Sequence, residues 1–174
     1  MIGPNLLLRA PEPADIDTIF RWENDMSVWH ISNTLAPYSR FAIEQFVLNT
    51  DNDIFATKQL RLMIDYHSSV PETTTVGIID LFEYDPYHKR AGVGILIDEK
   101  FRNKGFATEA LYLLIEYCFK TLDLHQVFCL IEQSNHNSIR LFSKAGFIKC
   151  GHKKDWLHWG EQWTDVLIFQ LIKK

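Results

Sequence analysis

Three consecutive leucines at positions 6 to 8, followed by Arg9, predict a short opening strand, and Pro11-Glu12-Pro13 forces a turn before a helix opens at Ala14-Asp15. That helix runs through Ile16, Ile19, Phe20 and Trp22. A polar, turn-rich stretch from Asn24 to Ser39 leads to a second helical pattern with Phe41, Ile43, Phe46, Val47 and Leu48 as its apolar side, ended by Asp51-Asn52-Asp53. Three runs then read as neighbouring antiparallel strands: Leu60 to Tyr66, Thr75 to Glu83, and Ala91 to Asp98. The loops between them, His67 to Thr74 and Asp85 to Arg90, are short enough for hairpins. Gly105 to Leu122 reads as a long helix, Gln126 to Glu132 as a strand, Ser138 to Ala145 as a short helix stopped by Gly146, and Val166 to Ile172 as the last strand.

Strands interleaved with helices in this order predict an α/β fold, a central mixed, mostly antiparallel sheet flanked by helices on both faces. The 174 residues, 47% hydrophobic and 13% aromatic, suffice for one sizeable core but hardly two. No repeat, low-complexity tract or linker interrupts them, so residues 1–174 are expected to form a single domain. The net charge of -4 and the lack of a concentrated basic stripe argue against nucleic acid as a partner and favour a cationic or neutral one. Cys118, Cys129 and Cys150 are widely spaced and show neither disulfide nor zinc spacing, which suits a reducing cytoplasm. His152 and His158 have no carboxylate at helical spacing, so no metal site is expected. The start of the chain does not resemble a signal peptide, and no stretch reaches the roughly 20 apolar residues of a membrane span.

The chemistry concentrates where the third hairpin strand meets the long helix, in Ile97-Asp98-Glu99-Lys100-Phe101-Arg102-Asn103-Lys104-Gly105-Phe106-Ala107-Thr108. The first N–H groups of a helix lack internal partners and carry the positive end of its dipole, so this junction suits an anion. Gly105 lets the backbone close on a ligand, Ala107 keeps the next position small, and Arg102 and Lys104 add charge suited to a pyrophosphate. An ordinary strand-to-helix turn with solvated cations fits the same residues. Gly92-Val93-Gly94 lacks the third glycine of a dinucleotide fingerprint and lies inside a strand, and no P-loop pattern occurs, so a phosphorylated cofactor of another kind is indicated.

Arg102-Asn103-Lys104-Gly105-Phe106-Ala107 resembles the R/Q-x-x-G-x-G/A element of the GNAT superfamily of N-acetyltransferases. Asn135-His136-Asn137-Ser138-Ile139-Arg140-Leu141-Phe142-Ser143-Lys144-Ala145-Gly146-Phe147 resembles its N-x-x-S-I-R-L-x-x-K-x-G-F segment. Gly77 to Leu81 and Asp85 to Gly94 are similar to the hairpin of the ribosomal-protein alanine and spermidine acetyltransferase branch. Leu122 to His125, with Trp159-Gly160-Glu161 and Asp165-Val166, is closer to the spermidine enzymes. The resemblance implies transfer of an acetyl group from acetyl-CoA, without a metal, to a primary amine such as a polyamine or other small cationic amine. Its alternatives are a protein N-terminus as acceptor, or a weakly catalytic acyl-CoA sensor. The backbone of Ile95, Leu96 and Ile97 would pair with the pantetheine, the amides of Arg102, Asn103, Lys104, Gly105, Phe106, Ala107 and Thr108 would hold the pyrophosphate, and Asn135, Ser138 and Phe142 would complete the cofactor site. Ser134 or Asn135 is equally placed to cap the following helix.

An amine must be neutral to attack a thioester, yet an alkyl amine of pKa about 10 is mostly protonated at neutral pH. Many relatives carry a glutamate base at the position of Gly92 and a tyrosine acid at that of Phe142, and this chain has neither side chain. Asp80 or Glu83, on the preceding strand, is the candidate base. Alternation puts Glu83 on the face of Ile79 and Leu81, although a solvated strand-end carboxylate is the simpler account of each. The thiolate could also leave unaided, its thiol pKa being about 8.5. For the acceptor, Trp22, Glu23, Trp29 and Glu161 are candidates to grip a cation, although core and hairpin packing is the simpler account of most of the tryptophans. An exposed edge strand in the final hairpin offers a surface for a homodimer or higher homo-oligomer.

Overall fold

A computed structural model describes residues 1–27, 29, 34–48, 53–67 and 73–174. They fall into two compact units, one of Met1–Arg9 with Ile54–Lys174 and one of Ala10–Asp53, whereas the sequence suggests no boundary at either junction. Most of the His67 to Thr74 loop, part of the Asn24 to Ser39 stretch, and Asp51-Asn52 lie outside the described residues.

In the smaller unit Pro13–Asp15 forms one 3-10 turn, whose start is fixed by the Glu12 N–H donating to Asp15 Oδ2 at 2.8 Å. Helix α1 (Ile16–Glu23) follows and buries Ile16, Ile19 and Trp22, the side expected of it. Helix α2 (Arg40–Leu48) buries only Ile43 and Val47, which stand one turn apart in a single row. Phe41 and Leu48, expected on that side, are 68% and 61% exposed, because each is rotated roughly 100° or more from the row at 100° per residue. Arg40 bridges to Asp17 and Glu44, and Asn24 exchanges two hydrogen bonds with the backbone of Tyr38, so polar pairs link α1, the segment after it and α2.

The larger unit opens with β1 (Leu6–Arg9) and, after a short helix α3 (Ile54–Thr57) that the sequence did not signal, continues with β2 (Leu60–His67), β3 (Thr73–Asp85) and β4 (Arg90–Ile97). Then come α4 (Phe106–Lys120), β5 (Gln126–Glu132), α5 (His136–Lys144), β6 (Ile148–Trp159) and β7 (Gln162–Ile172). The seven strands make one sheet in the order β1-β2-β3-β4-β5-β7-β6. Every neighbouring pair is antiparallel except β4 and β5, whose parallel pairing needs the crossover that α4 provides.

Strand alternation brings Ala91 and Val93, Val127, Cys129 and Ile131, and Leu167 and Phe169 to one core. Ala110, Leu111, Leu114 and Cys118 of α4 and Phe142 of α5 complete it. Each fully buried leucine there contributes about 1.5–3 kcal/mol. The same burial pushes the Cys118 thiol up to about 12 and raises that of Cys129 as well, so neither is a reactive thiolate. β6 is one edge of the sheet, β1 being the other, and is largely exposed along its 12 residues, with register shifts at Lys149/Gly151 and Lys153/Leu157. No described helix is long and apolar enough to cross a membrane.

Candidate active site

β4 and β5 stay together for only three residue pairs, Arg90↔Gln126, Ala91↔Val127 and Gly92↔Phe128. Beyond them β4 continues to Ile97 against β3 alone, and β5 continues to Glu132 against β7 alone. A wedge therefore opens above Gly92 and Phe128, flanked by two strand edges whose backbone groups have no ladder partner on that side. Burial changes at the same point: Ala91, Gly92 and Val93 are buried, whereas Gly94 through Ile97 are half-buried. Ile95, Leu96 and Ile97 thus lie along an open edge able to exchange hydrogen bonds with an amide-bearing ligand.

At the top of β4, Asp98 accepts the Lys100 N–H at 3.1 Å and caps the 3-10 turn Glu99–Phe101. Arg102 turns back, its Nε donating to the Ile97 carbonyl at 3.1 Å, so its guanidinium fastens the loop to the strand. Lys104 Nζ lies 5.2 Å from the Phe101 ring centroid. Asn103 and Gly105 both take positive φ, 63° and 86°, which aims the chain into α4. Gly105 is the residue before the first helical turn and carries no capping side chain, and a Cβ on it would meet nothing within 4 Å. Its conformation, rather than crowding, selects glycine. The only acid in that first turn, Glu109, is turned to β1, accepting the N–H groups of Asn5 and Leu6 at 2.8 and 3.0 Å and the Asn5 side-chain amide at 2.9 Å. The N-terminal amides of α4, with Lys104 beside them, keep the character of an anion site.

Asn135 caps α5, its Oδ1 accepting the Ser138 N–H at 3.1 Å. Its amide nitrogen remains for a second acceptor, so capping and ligand contact are compatible. Phe142 is only 3% exposed, packed edge-to-face on Phe147 at 5.0 Å between ring centroids. Its ring belongs to the core and offers a cofactor almost no surface.

The two candidate bases lie in different settings. Asp80 is gripped by Arg61 through two hydrogen bonds, at 2.9 and 3.2 Å. Glu83 departs from the alternation expected of it. Glu83 and Tyr84 together oppose Ala91 in a β-bulge, with Glu83 at φ 48°. The extra residue shifts the parity, so Tyr84 rather than Glu83 joins Ile79 and Leu81 in the core, and Glu83 is exposed. Burial raises the Tyr84 phenol above its ordinary value.

At the bottom of the wedge stand two aromatic residues that the sequence reading did not single out. Phe82 lies opposite Gly92, and its ring meets that of Phe128 edge-on at 5.7 Å. The available signal was Gly92 and Gly94 on one face of β4, which leaves room for a large side chain from the neighbouring strand. Glu83, Tyr84 and Phe128 also line a cavity of about 870 Å³ with Gln126, Ile168 and Gln170.

Among the acceptor candidates, Trp22 and Trp29 are buried in the smaller unit, and Trp29 Nε1 donates to the Glu23 carbonyl at 2.9 Å, as core packing would have it. Glu161 is exposed in the tight turn between β6 and β7. Trp163 stacks on His158 at 4.5 Å, and Lys153 Nζ sits 4.0 Å from the Trp156 ring, so the hairpin carries a solvent-facing aromatic surface. His152 finds a carboxylate across the hairpin: Nε2 is 2.7 Å from Asp165 Oδ2, which also accepts from Lys154 Nζ at 2.6 Å. No cluster of three or more metal-ligating side chains occurs among the described residues.

Comparison with known proteins gives a consistent picture. Residues 5–148 match the model of the acetyltransferase (GNAT) domain family. The spermidine N(1)-acetyltransferase of Escherichia coli (strain K12) is 32% identical over 143 residues, covering 80% of this chain and 71% of that protein. The uncharacterized N-acetyltransferase p20 of Bacillus licheniformis is 28% identical over 170 residues, 97% of this chain and 93% of that one. In three dimensions the chain superposes on the crystal structure of spermidine N-acetyltransferase from Vibrio cholerae in complex with CoA and spermine with a TM-score of 0.86. That likeness has 22% identity and covers 98% and 96% of the two chains, and it shows a shared fold.

Proposed function

The chain belongs to the acetyltransferase (GNAT) domain family, and from that premise we propose that it acetylates a small cationic primary amine of the polyamine class, with acetyl-CoA as donor. The observation that carries this reading is the three-pair β4–β5 ladder, which opens a wedge directly below the anion-suited start of α4. The backbone edge of Ile95, Leu96 and Ile97 would hold the pantetheine amides. The amides of Arg102 to Thr108 would take the pyrophosphate, with Lys104 adding charge and Arg102 fixing the loop, and Asn135 would contact the cofactor arm while its Oδ1 caps α5. Acetyl-CoA supplies a thioester whose acyl carbon accepts a nucleophile.

The work left to the protein is to orient the amine, whose protons must also find an acceptor. Phe82, Gly92 and Phe128 line the wedge bottom with apolar surface; Asp80, opposite Gly94 one step above it, is engaged by Arg61, and Glu83 sits on a solvent-facing bulge. The amine is therefore drawn already neutral from its own ionisation equilibrium; its C–N bond forms as the C–S bond breaks, and the proton the nitrogen then sheds goes to solvent or to the departing thiolate, Phe142 having none to give. The polyamine class is supported by the named activity of the E. coli relative and by the net charge of -4. A second copy would pair along the free edge of β6.

Release of free CoA thiol, followed with purified protein and a panel of spermidine, spermine, aminoglycosides and N-terminal Ala or Ser peptides, tests the proposal. Turnover with spermidine or spermine supports it. Turnover with peptides alone transfers the assignment to a protein N-terminus, and calorimetric binding of acetyl-CoA without turnover on any amine overturns it.

A further inference from the structure

We infer that Phe82, backed by Phe128, is the end wall of the acyl slot and restricts this chain to the shortest acyl groups; the inference rests on the acetyl-transfer reading and specifies its donor. If a thioester lies along the open edge of β4, its acyl group points to where that edge begins, at Gly92 and Gly94. These glycines share one face of the strand, and the Phe82 ring lies over both. At residue 92 the ring fills the side-chain position outright, a Cβ there falling 2.3 Å from Cε2. At residue 94 a Cβ would be in ordinary contact, 4.0 Å from Cε1. The face above Gly94 thus has room for a group of about one carbon before the ring is reached.

Phe128 closes the other side, its ring at 82° to that of Phe82. Phe128 also lines the cavity of about 870 Å³, ample for a longer chain. Phe128 thus lines that larger space while it packs on Phe82, the ring over the two glycines. Discrimination by a packed apolar wall is worth about 10–200-fold per methylene, enough to select acetyl over butyryl.

The test compares acetyl-, propionyl-, butyryl- and hexanoyl-CoA on the full chain and on Phe82→Ala and Phe82→Leu, reading kcat/KM with one fixed amine and Kd by calorimetry, with free CoA as the reference. The unaltered chain should prefer acetyl- to butyryl-CoA by about 100-fold or more. Phe82→Ala should bring that ratio within about 10-fold and tighten hexanoyl-CoA while free CoA binds as before, with Phe82→Leu between them. Phe82→Leu decides the matter should the alanine variant not fold. An unaltered chain that takes hexanoyl- as readily as acetyl-CoA, or variants that keep the original ratio, overturn the inference. If no amine turns over while acyl-CoA still binds, the transfer reading fails alone and the Kd series decides the wall. If no acyl-CoA binds, both fall.

Discussion

Phe82 and Gly92 are register partners across β3 and β4, and the ring of one occupies the side-chain space of the other, with a distance of 2.3 Å from Phe82 Cε2 to a Cβ on residue 92. Gly92→Ala therefore forces the ring or the strand to move, and overpacking of this kind costs about 1–3 kcal/mol. The loss should appear as a lower urea midpoint at unchanged m. In a Phe82→Ala background the same substitution should cost little, giving a coupling of about 1 kcal/mol or more in the double-mutant cycle. Additive losses would mean that the two positions relax independently. The same contact explains why a glutamate is incompatible with residue 92 while Phe82 is present.

Gly105 presents the opposite case, a glycine with open space around it and a φ of 86°. Gly105→Ala meets no atom, so its penalty is torsional, about 1–2 kcal/mol. It should raise the Kd of CoA as the loop relaxes away from the start of α4. Gly105→Asn, a residue more tolerant of left-handed backbone, should keep most of the affinity. Equal losses in the two variants would show that a side chain itself blocks the ligand.

The sequence was most informative where one period ran without interruption. Val127, Cys129 and Ile131 alternate cleanly, and β5 spans the expected residues; α4, Phe106–Lys120, falls within the expected Gly105 to Leu122. At Glu83 one extra residue in a bulge reversed the parity, and nothing in the local residues announces an insertion that only the pairing with Ala91 defines. β6 is an edge strand with two register shifts and little burial, so it lacks the alternation by which a strand is recognised. Asp80 was visible as a carboxylate, but its partner Arg61 comes from the adjacent strand and depends on the β2–β3 register. Arg102 and Asn135 stood out in the sequence as motif residues, whereas their hydrogen bonds to Ile97 and Ser138 are evident only in three dimensions.

Asp80→Asn separates a structural ion pair from a base. The variant leaves Arg61 with a neutral partner and should lose of order 1 kcal/mol of stability, while the shape of the pH–rate profile stays as it was. Loss of a titrating limb from that profile would instead make Asp80 the proton acceptor.

With Asp80 engaged by Arg61 and Glu83 in solvent, the rate should follow the ionisation of the acceptor. The logarithm of kcat/KM should rise with pH at a slope of about one until the pKa of the amine, about 10 for an alkyl amine. An acceptor of lower pKa should move the bend by the same amount. A bend that stays fixed across acceptors would reveal a protein base, and its disappearance in Glu83→Gln would assign it.

Asp165 organises the final hairpin. Its carboxylate accepts from Lys154 Nζ at 2.6 Å, from the N–H of Asp155 at 2.9 Å and shares a contact with His152 at 2.7 Å. The first two donors, in that order, hold it well below the ordinary carboxylate range. Asp155 stands at φ 45° within the register shift of β6, so this carboxylate is what satisfies the amide at the bend. The Asp165 carbonyl meanwhile accepts the Gln133 N–H at 2.9 Å, which connects the hairpin to the turn leading into Asn135. A carboxylate with a depressed folded-state pKa contributes stability above its unfolded value of about 3.9 and loses it as pH falls through the folded one. Hydrogen exchange at the Asp155 amide should therefore show protection that is constant at neutral pH and declines below about pH 4. In Asp165→Asn the protection should already be about 10-fold lower at pH 7 and should lose its acid dependence, since the titrating group is gone. Identical acid dependence in the two proteins would place the origin of the loss elsewhere in the sheet.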